Sequence, residues 1–353
     1  MQKIALILLL ILASSASHAN PMCPAILTTA PRVEDLVKLY RQQRAHLGPA
    51  VIKADRLIFH GVGDRDVYNI ARPMNVELQG RRQRVMLARV EPRENHQSEV
   101  WAFVADSESE LEYSPAQGIT HFKMEDPFFT SIDGELFVGG VETFSRSTKP
   151  GDLGYRTVFM RDFGHGLEFL QKFLTGPEGM KDIRFAKLAN GKIQVSGRPQ
   201  NSDPRRGGRG KNSQVIVDSV ADITEQLISQ APIIENQIHE RDWIGTNEIH
   251  DLKNGQIGFL SHVAHYSDVE QKNRGYYIAV FSNKDLRPKI ILEREDLPGG
   301  LKSALQRKAS KRDDLVNVLF GGGLERLPNG TAYLYIGAGD AESWRVLIRD
   351  PFL

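Results

Sequence analysis

From about Ile52 to the C-terminus, apolar residues come in short runs broken at close intervals by Gly, Asn, Asp and Pro. That texture predicts β-strands and turns through nearly the whole chain. Upstream the period changes. Between Pro31 and Leu47 the apolar positions Val33, Leu36, Val37 and Tyr40 have the spacing of one amphipathic helix. Earlier still, Lys3 precedes an apolar run from Ile4 to Ala13, followed by small residues at Ser17 and Ala19. The run is too short to span a bilayer comfortably, so residues 1–19 are expected to be a cleaved export signal. Residues 20–50 then form an N-terminal segment with one helix, residues 51–353 a β domain, and the mature protein is expected to be periplasmic or secreted.

Within the β region four turns stand out, at Asp133-Gly134, Asn190-Gly191, Asn254-Gly255 and Asn329-Gly330. Each suits a two-residue type I′ hairpin, in which both central residues need positive φ. Six to eight residues before each turn lies a short motif: Asp126-Pro127-Phe128, Lys181-Asp182-Ile183-Arg184, Asn247-Glu248-Ile249-His250 and Gly321-Gly322-Gly323. A more divergent copy begins at Asp64-Arg65-Asp66-Val67-Tyr68-Asn69 and runs on into Arg84 to Glu91. Five copies, about 55 to 75 residues apart, predict an all-β fold: a five-bladed β-propeller with a short N-terminal helix. The alternative, a β-sandwich, would leave the acids dispersed. In the propeller, Asp66, Asp126, Asp182 and Glu248 would point to one axial funnel.

Forty-five Lys and Arg balance forty-four Asp and Glu to a formal charge of +1, so no global field draws in nucleic acid or an anionic membrane, and any anion must be held by a local cluster. Cys23 is the only cysteine, which leaves the core without an intramolecular disulfide. His262 and His265, with His250 nearby, match no zinc spacing, so no metal is expected. Arg205-Arg206-Gly207-Gly208-Arg209-Gly210-Lys211 is short for an RNA-binding tract and reads as a loop that lines a site or faces solvent.

A ring of carboxylates beside Arg, His and amide side chains suits a sugar, with acids to move protons and the others to read hydroxyl groups. Taken singly, each acid could instead cap its own turn. The motifs Glu125-Asp126-Pro127-Phe128, Lys181-Asp182-Ile183-Arg184 with Gly197-Arg198-Pro199, and Tyr335-Ile336-Gly337-Ala338-Gly339-Asp340-Ala341 resemble the blade motifs of the five-bladed mannoside phosphorylases. With Arg65-Asp66-Val67-Tyr68-Asn69-Ile70, Gly207-Gly208-Arg209-Gly210-Lys211 and Asn247-Glu248-Ile249-His250, the set is more similar to the β-1,2-mannosyltransferase/phosphorylases of mannogen metabolism. The likeness runs from about Leu57 to Asp350-Pro351-Phe352.

The resemblance implies inverting phosphorolysis of β-mannosides, with β-1,2 linkages foremost and mannose 1-phosphate released. Asp126 is the implied acid, delivering its proton through a sugar hydroxyl while phosphate attacks from the opposite face. Inorganic phosphate would be a co-substrate, and no cofactor is expected. A phosphate subsite must be cationic; Arg156, Lys181, Arg198 and Arg209 are its candidates, with His262 as a hydrogen-bonding partner. Asp66, Asn69, Asp182, Asn247, Glu248, His250 and Asp340 are candidates for mannosyl contacts, and Tyr68, Trp243 and Tyr266 for stacking platforms. Lys181 beside Asp182 could equally be a local ion pair, and Arg198 before Pro199 a structural arginine.

In two respects the chain departs from the resemblance. Gly63-Asp64 stands where the family turn reads Asp-Gly. An exported enzyme would not meet a cytosolic sugar nucleotide, which favours breakdown by phosphate over synthesis from GDP-mannose. Hydrolysis remains the alternative and would need a second carboxylate, Asp182 or Glu248, as base; a non-catalytic carbohydrate-binding propeller is the other.

Overall fold

The computed structural model describes residues 30–95, 97–149, 151–200, 209–252, 255–267, 274–306 and 309–353. The expected leader, Cys23, Arg205 to Gly208 and Asn254 lie outside them. Five sheets, antiparallel but for the short pairing of Ile58–Phe59 with Glu112–Pro115, are arranged as the blades of a propeller, and the first strands of blades two to five contact one another around the axis. The first strands of the five blades are Asp66–Tyr68, Glu125–Ile132, Met180–Lys187, Trp243–Asp251 and Leu319–Arg326. The ring closes on itself: the N-terminal strand Val51–Arg56 pairs with Glu342–Arg349 and becomes the outer strand of the last blade. The pairing covers the edge of Glu342–Arg349 that would otherwise be left open.

Helix α1 (Val33–Leu47) packs Val33, Leu36, Val37 and Tyr40 into the core shared by blades four and five. Each buried apolar side chain contributes about 1.5–3 kcal/mol as an upper estimate. Arg32 at its start offers no side-chain cap. Asp242 substitutes, accepting from Val33 N at 2.8 Å and from Arg32 Nε at 2.8 Å. Gly48, at φ 82°, ends the helix with its N–H on Arg44 O.

One local device recurs where the site forms. On the first strands of blades two to five the pairing slips by a residue between Glu125 and Phe128, Lys181 and Arg184, Thr246 and Glu248, and Gly321 and Gly323. Blade one does the same, since Tyr68 faces Arg89 while Ala71 N already bonds Leu87 O. The extra residue is a β-bulge, which re-aims side chains and increases local twist. Asn69, Asp126 and Asp182 occupy these bulges at φ 46°, 50° and 52°, a left-handed conformation that Asx residues tolerate best after glycine. Blade five carries glycines instead because blade one runs across it: a Cβ on Gly322 would lie 1.5 Å from Ile70 O.

The turns differ from expectation in kind. Asp133-Gly134 has both residues at positive φ, as a type I′ turn requires. At Asn329-Gly330 and Asn190-Gly191 only the glycine is positive, and Gly330 N and Gly191 N return to Leu327 O and Leu188 O. These are type I turns followed by a left-handed glycine. Pro328 at the second turn position fixes φ near −65° and rules out the mirror-image turn there.

Candidate active site

Two bulge carboxylates anchor two linked clusters at the axis. In the first, Asp126 Oδ1 accepts from Asn69 Nδ2 at 2.8 Å and from Arg89 Nη1 at 3.1 Å. The same guanidinium reaches Glu125 Oε2 at 3.5 Å and Glu91 Oε2 at 3.0 Å, donates to Ser98 Oγ at 2.9 Å, and lies over the Tyr68 ring. Lys181 Nζ stands 3.8 Å from Glu125 Oε2 and over the Tyr155 ring at 4.9 Å. Burial pushes the Asp126 carboxyl up, but Arg89, Lys181 and the bond from Asn69 outweigh it and hold it below its ordinary range.

In the second cluster, Asp182 Oδ2 pairs with Arg198 Nη1 at 3.0 Å and lies 3.6 Å from His262 Nε2. Burial drives the His262 imidazole down to about 3, so it is neutral. Its hydrogen bonds then assign the tautomer: Arg198 Nη1 donates to Nε2 at 2.7 Å, and Nδ1–H donates to Asn247 Oδ1 at 2.7 Å. Asn247 Nδ2 bonds Gly321 O at 2.6 Å and so ties blade four to blade five. His262 also stacks on Tyr276 at 4.5 Å. Burial raises Asp182, yet the Arg198 and Arg184 guanidiniums reverse the balance and keep it below the usual carboxylate range. Gly245 is a spatial requirement here, since a Cβ on it would fall 2.3 Å from Asp182 Oδ2.

Asp340 sits in the hairpin of blade five at φ 52°. Among the described residues it makes no hydrogen bond or ion pair. Burial pushes it up to about 6, opposed by Arg89 and reinforced by Asp126. These carboxyls therefore differ: Asp126 and Asp182 are held ionised by cations, while Asp340 is poised to titrate.

Of the sequence candidates, Asn69, Asp126, Lys181, Asp182, Arg198, Asn247 and His262 come together in these clusters, with Asp340 in their field. Others are engaged elsewhere. Asp66 is paired with Arg93 at 2.6 Å, because the blade-one bulge falls at Asn69, three residues later. Glu248 accepts from Arg72 Nε at 2.6 Å and from Leu324 N at 2.7 Å, and lies 3.0 Å from His250 Nε2. Its side chain follows the bulge and fastens blade four to its neighbours; His250 and Arg72 outweigh burial and hold it down to about 2. Arg156 is bound to Glu142 at 2.9 Å and lies over Phe144. Arg209 covers Trp243 and Tyr266, two of the proposed stacking platforms, and Tyr68 is fully buried beneath Arg89.

Sequence reasoning passed over Arg89, Glu91, Arg184 and Tyr276. Arg184 is buried beneath the clusters, donating to Asn247 O at 2.7 Å and lying 3.5 Å over Phe128. The signal for Arg89 and Glu91 was present: two charges of opposite sign continue an apolar run, Val85-Met86-Leu87-Ala88, in the interior of a blade. Among the described residues no three His, Cys, Asp or Glu side chains form a metal-binding group.

The chain is similar over 90% of its length to two solved Leishmania mexicana structures, each with a TM-score of 0.73. One is MPT-4, a mannose phosphorylase in complex with phosphate ion, 26% identical and covered over 93% of its own chain. The other is MPT-1, a GDP-Man-dependent mannosyltransferase, 27% identical and covered over 96%. A hypothetical protein from Leishmania major is 25% identical, with a TM-score of 0.68, 89% of this chain and 95% of that one covered. No curated protein sequence matches. The family model described as "Protein of unknown function (DUF1861)" matches residues 43–353, and the chain belongs to that family.

Proposed function

We propose that the protein is an inverting phosphorylase that acts on β-mannosides, foremost β-1,2-linked ones, and releases mannose 1-phosphate. It is an enzyme of glycoside phosphorylase type. The observation that carries the finer reading is the pairing of an axial carboxylate with a cationic surround: Asp126 faces Arg89 and Lys181, with Arg198 held beside Asp182. The likeness to a phosphate-bound mannose phosphorylase supports the same reading.

In this reaction a phosphate oxygen attacks the anomeric carbon as the bond to the glycosidic oxygen breaks. That oxygen takes a proton originating on Asp126, relayed by a sugar hydroxyl, and inversion turns a β-mannoside into an α-phosphate. Lys181 and Arg198 would receive the dianion. Neutral His262 keeps Arg198 aimed without adding charge. Asn69 and Asp182 are placed to read sugar hydroxyls. The expected export signal, if used, would separate the enzyme from sugar nucleotides and favour degradation.

Hydrolysis needs a carboxylate free to activate water. Asp182 and Glu248 are both committed to cations, which weighs against them as bases. Asp340, lacking such a partner among the described residues and raised to about 6, favours hydrolysis as the second reading. Assaying a panel of small β-mannosides with and without inorganic phosphate separates the two. Phosphorolysis requires product only with phosphate; equal mannose release without it would establish the hydrolase.

A further inference from the structure

Glu91 ends the second strand of blade one and is fully buried. Donors converge on its carboxylate, among them the Tyr68 hydroxyl, Arg89 Nη2 at 3.0 Å and Lys311 Nζ at 2.8 Å. Lys311 comes from the connection between blades four and five, is 4% exposed, and also donates to Asn95 O at 2.8 Å. Removing such charges from water costs several kcal/mol per ion before pairing offsets it. This buried group bears directly on the direction of Arg89, whose other nitrogen meets Asp126 at 3.1 Å and Glu125 at 3.5 Å.

We propose that Glu91 is a positioning residue: clamped by Tyr68 and Lys311, it fixes the Arg89 guanidinium on Asp126 and Glu125 and, with Lys311, sets the charge that Asp126 feels. This rests on the reading of Asp126 as proton donor. Asp126 is faced by Asn69, Arg89 and Lys181, with Asp182, His262 and Asp340 in electrostatic reach; Glu91 is faced by Tyr68, Arg89 and Lys311 and acts on Asp340.

The two ends of the relay carry opposite charges, so their removal has opposite effects. Glu91→Gln deletes a negative charge and leaves Arg89 and Lys311 uncompensated, so Asp126 holds its proton less tightly. Lys311→Met deletes a positive charge, so Asp126 holds it more tightly. Damage to folding would lower the rate in both without separating them in pH.

The experiment follows kcat against pH at saturating phosphate and β-1,2-mannobiose, together with a carbon-13 NMR titration of the Asp126 carboxyl in the free protein, assigned with Asp126→Asn. The basic limb of kcat and the NMR midpoint are expected to fall by about one unit in Glu91→Gln and rise by about half a unit in Lys311→Met. Glu91→Asp, which keeps the charge, is expected to return both toward the parent. Midpoints that stay fixed or move together would overturn the proposal. If the parent gives no phosphorolysis, the functional reading fails, while the NMR midpoints still decide the role of Glu91.

Discussion

The Arg89 guanidinium lies 3.1 Å from Asp126 Oδ1, so the implied acid has a cation as its close neighbour. In the free site that contact keeps Asp126 ionised. Under the proposed phosphorolysis, a phosphate dianion arriving near Lys181 and Arg198 would offset the positive field and let the carboxyl take up the proton it must deliver, so that binding of the nucleophile would arm the acid.

Arg89→Met is expected to lower kcat/KM by about a hundredfold or more, the scale on which losing one preorganised electrostatic partner acts. Steady-state phosphorolysis measures it. Arg89→Lys keeps the charge but cannot span Asp126, Glu91 and Ser98 at once, and should recover only part of the loss.

His262 is buried and neutral, with its affinity for a proton lowered from 6.5 to about 3. Between these values the unfolded chain binds a proton that the folded chain refuses, so stability falls as pH drops from about 6.5 toward 3. Relative to the parent, His262→Gln should remove this slope, a difference on the order of 3 kcal/mol near pH 4. Urea unfolding across pH tests it. Because Arg198 loses the acceptor that aims it, the variant should also raise the KM for phosphate more than it lowers kcat.

Asp340 shifts the other way, from 3.8 up to about 6. Its contribution favours the fold below about pH 4 and is lost as pH rises through 6, where the buried carboxyl must ionise. Asp340→Asn should therefore stabilise the protein by about 3 kcal/mol at pH 8 and by little at pH 4. Thermal melts at the two pH values check the sign. Under phosphorolysis the variant keeps phosphate-dependent turnover, whereas under hydrolysis with Asp340 as base it loses release of free mannose.

Asp242 joins helix α1 to the segment beside the site. It accepts from Arg32 and Val33 N, while Lys211 Nζ bonds the backbone of the same loop at Ile238 O, 2.7 Å away. Asp242→Ala removes the partner of the half-buried Arg32 and a helix cap together, and should cost about 1–3 kcal/mol in urea unfolding.

Much of this arrangement was legible in the chain. The period of Val33, Leu36, Val37 and Tyr40 gave the helix, and the spacing of turns and polar motifs gave five blades. Residue type alone could not give the bulge register, which brings Asn69 rather than Asp66 to Asp126 and turns Glu248 toward Arg72. Arg89 escaped notice because it sits on a second strand, outside the repeated first-strand motif. Asp242 escaped because its partner lies at Arg32, far away in sequence.

The central claim meets its most direct test in a phosphorus NMR time course of β-1,2-mannobiose with inorganic phosphate, run with the parent protein and with Asp126→Asn. Inverting phosphorolysis by Asp126 predicts α-mannose 1-phosphate from the parent, none without phosphate, and at least about a thousandfold slower formation in the variant. Undiminished product from Asp126→Asn, or mannose released at the same rate without phosphate, would contradict it.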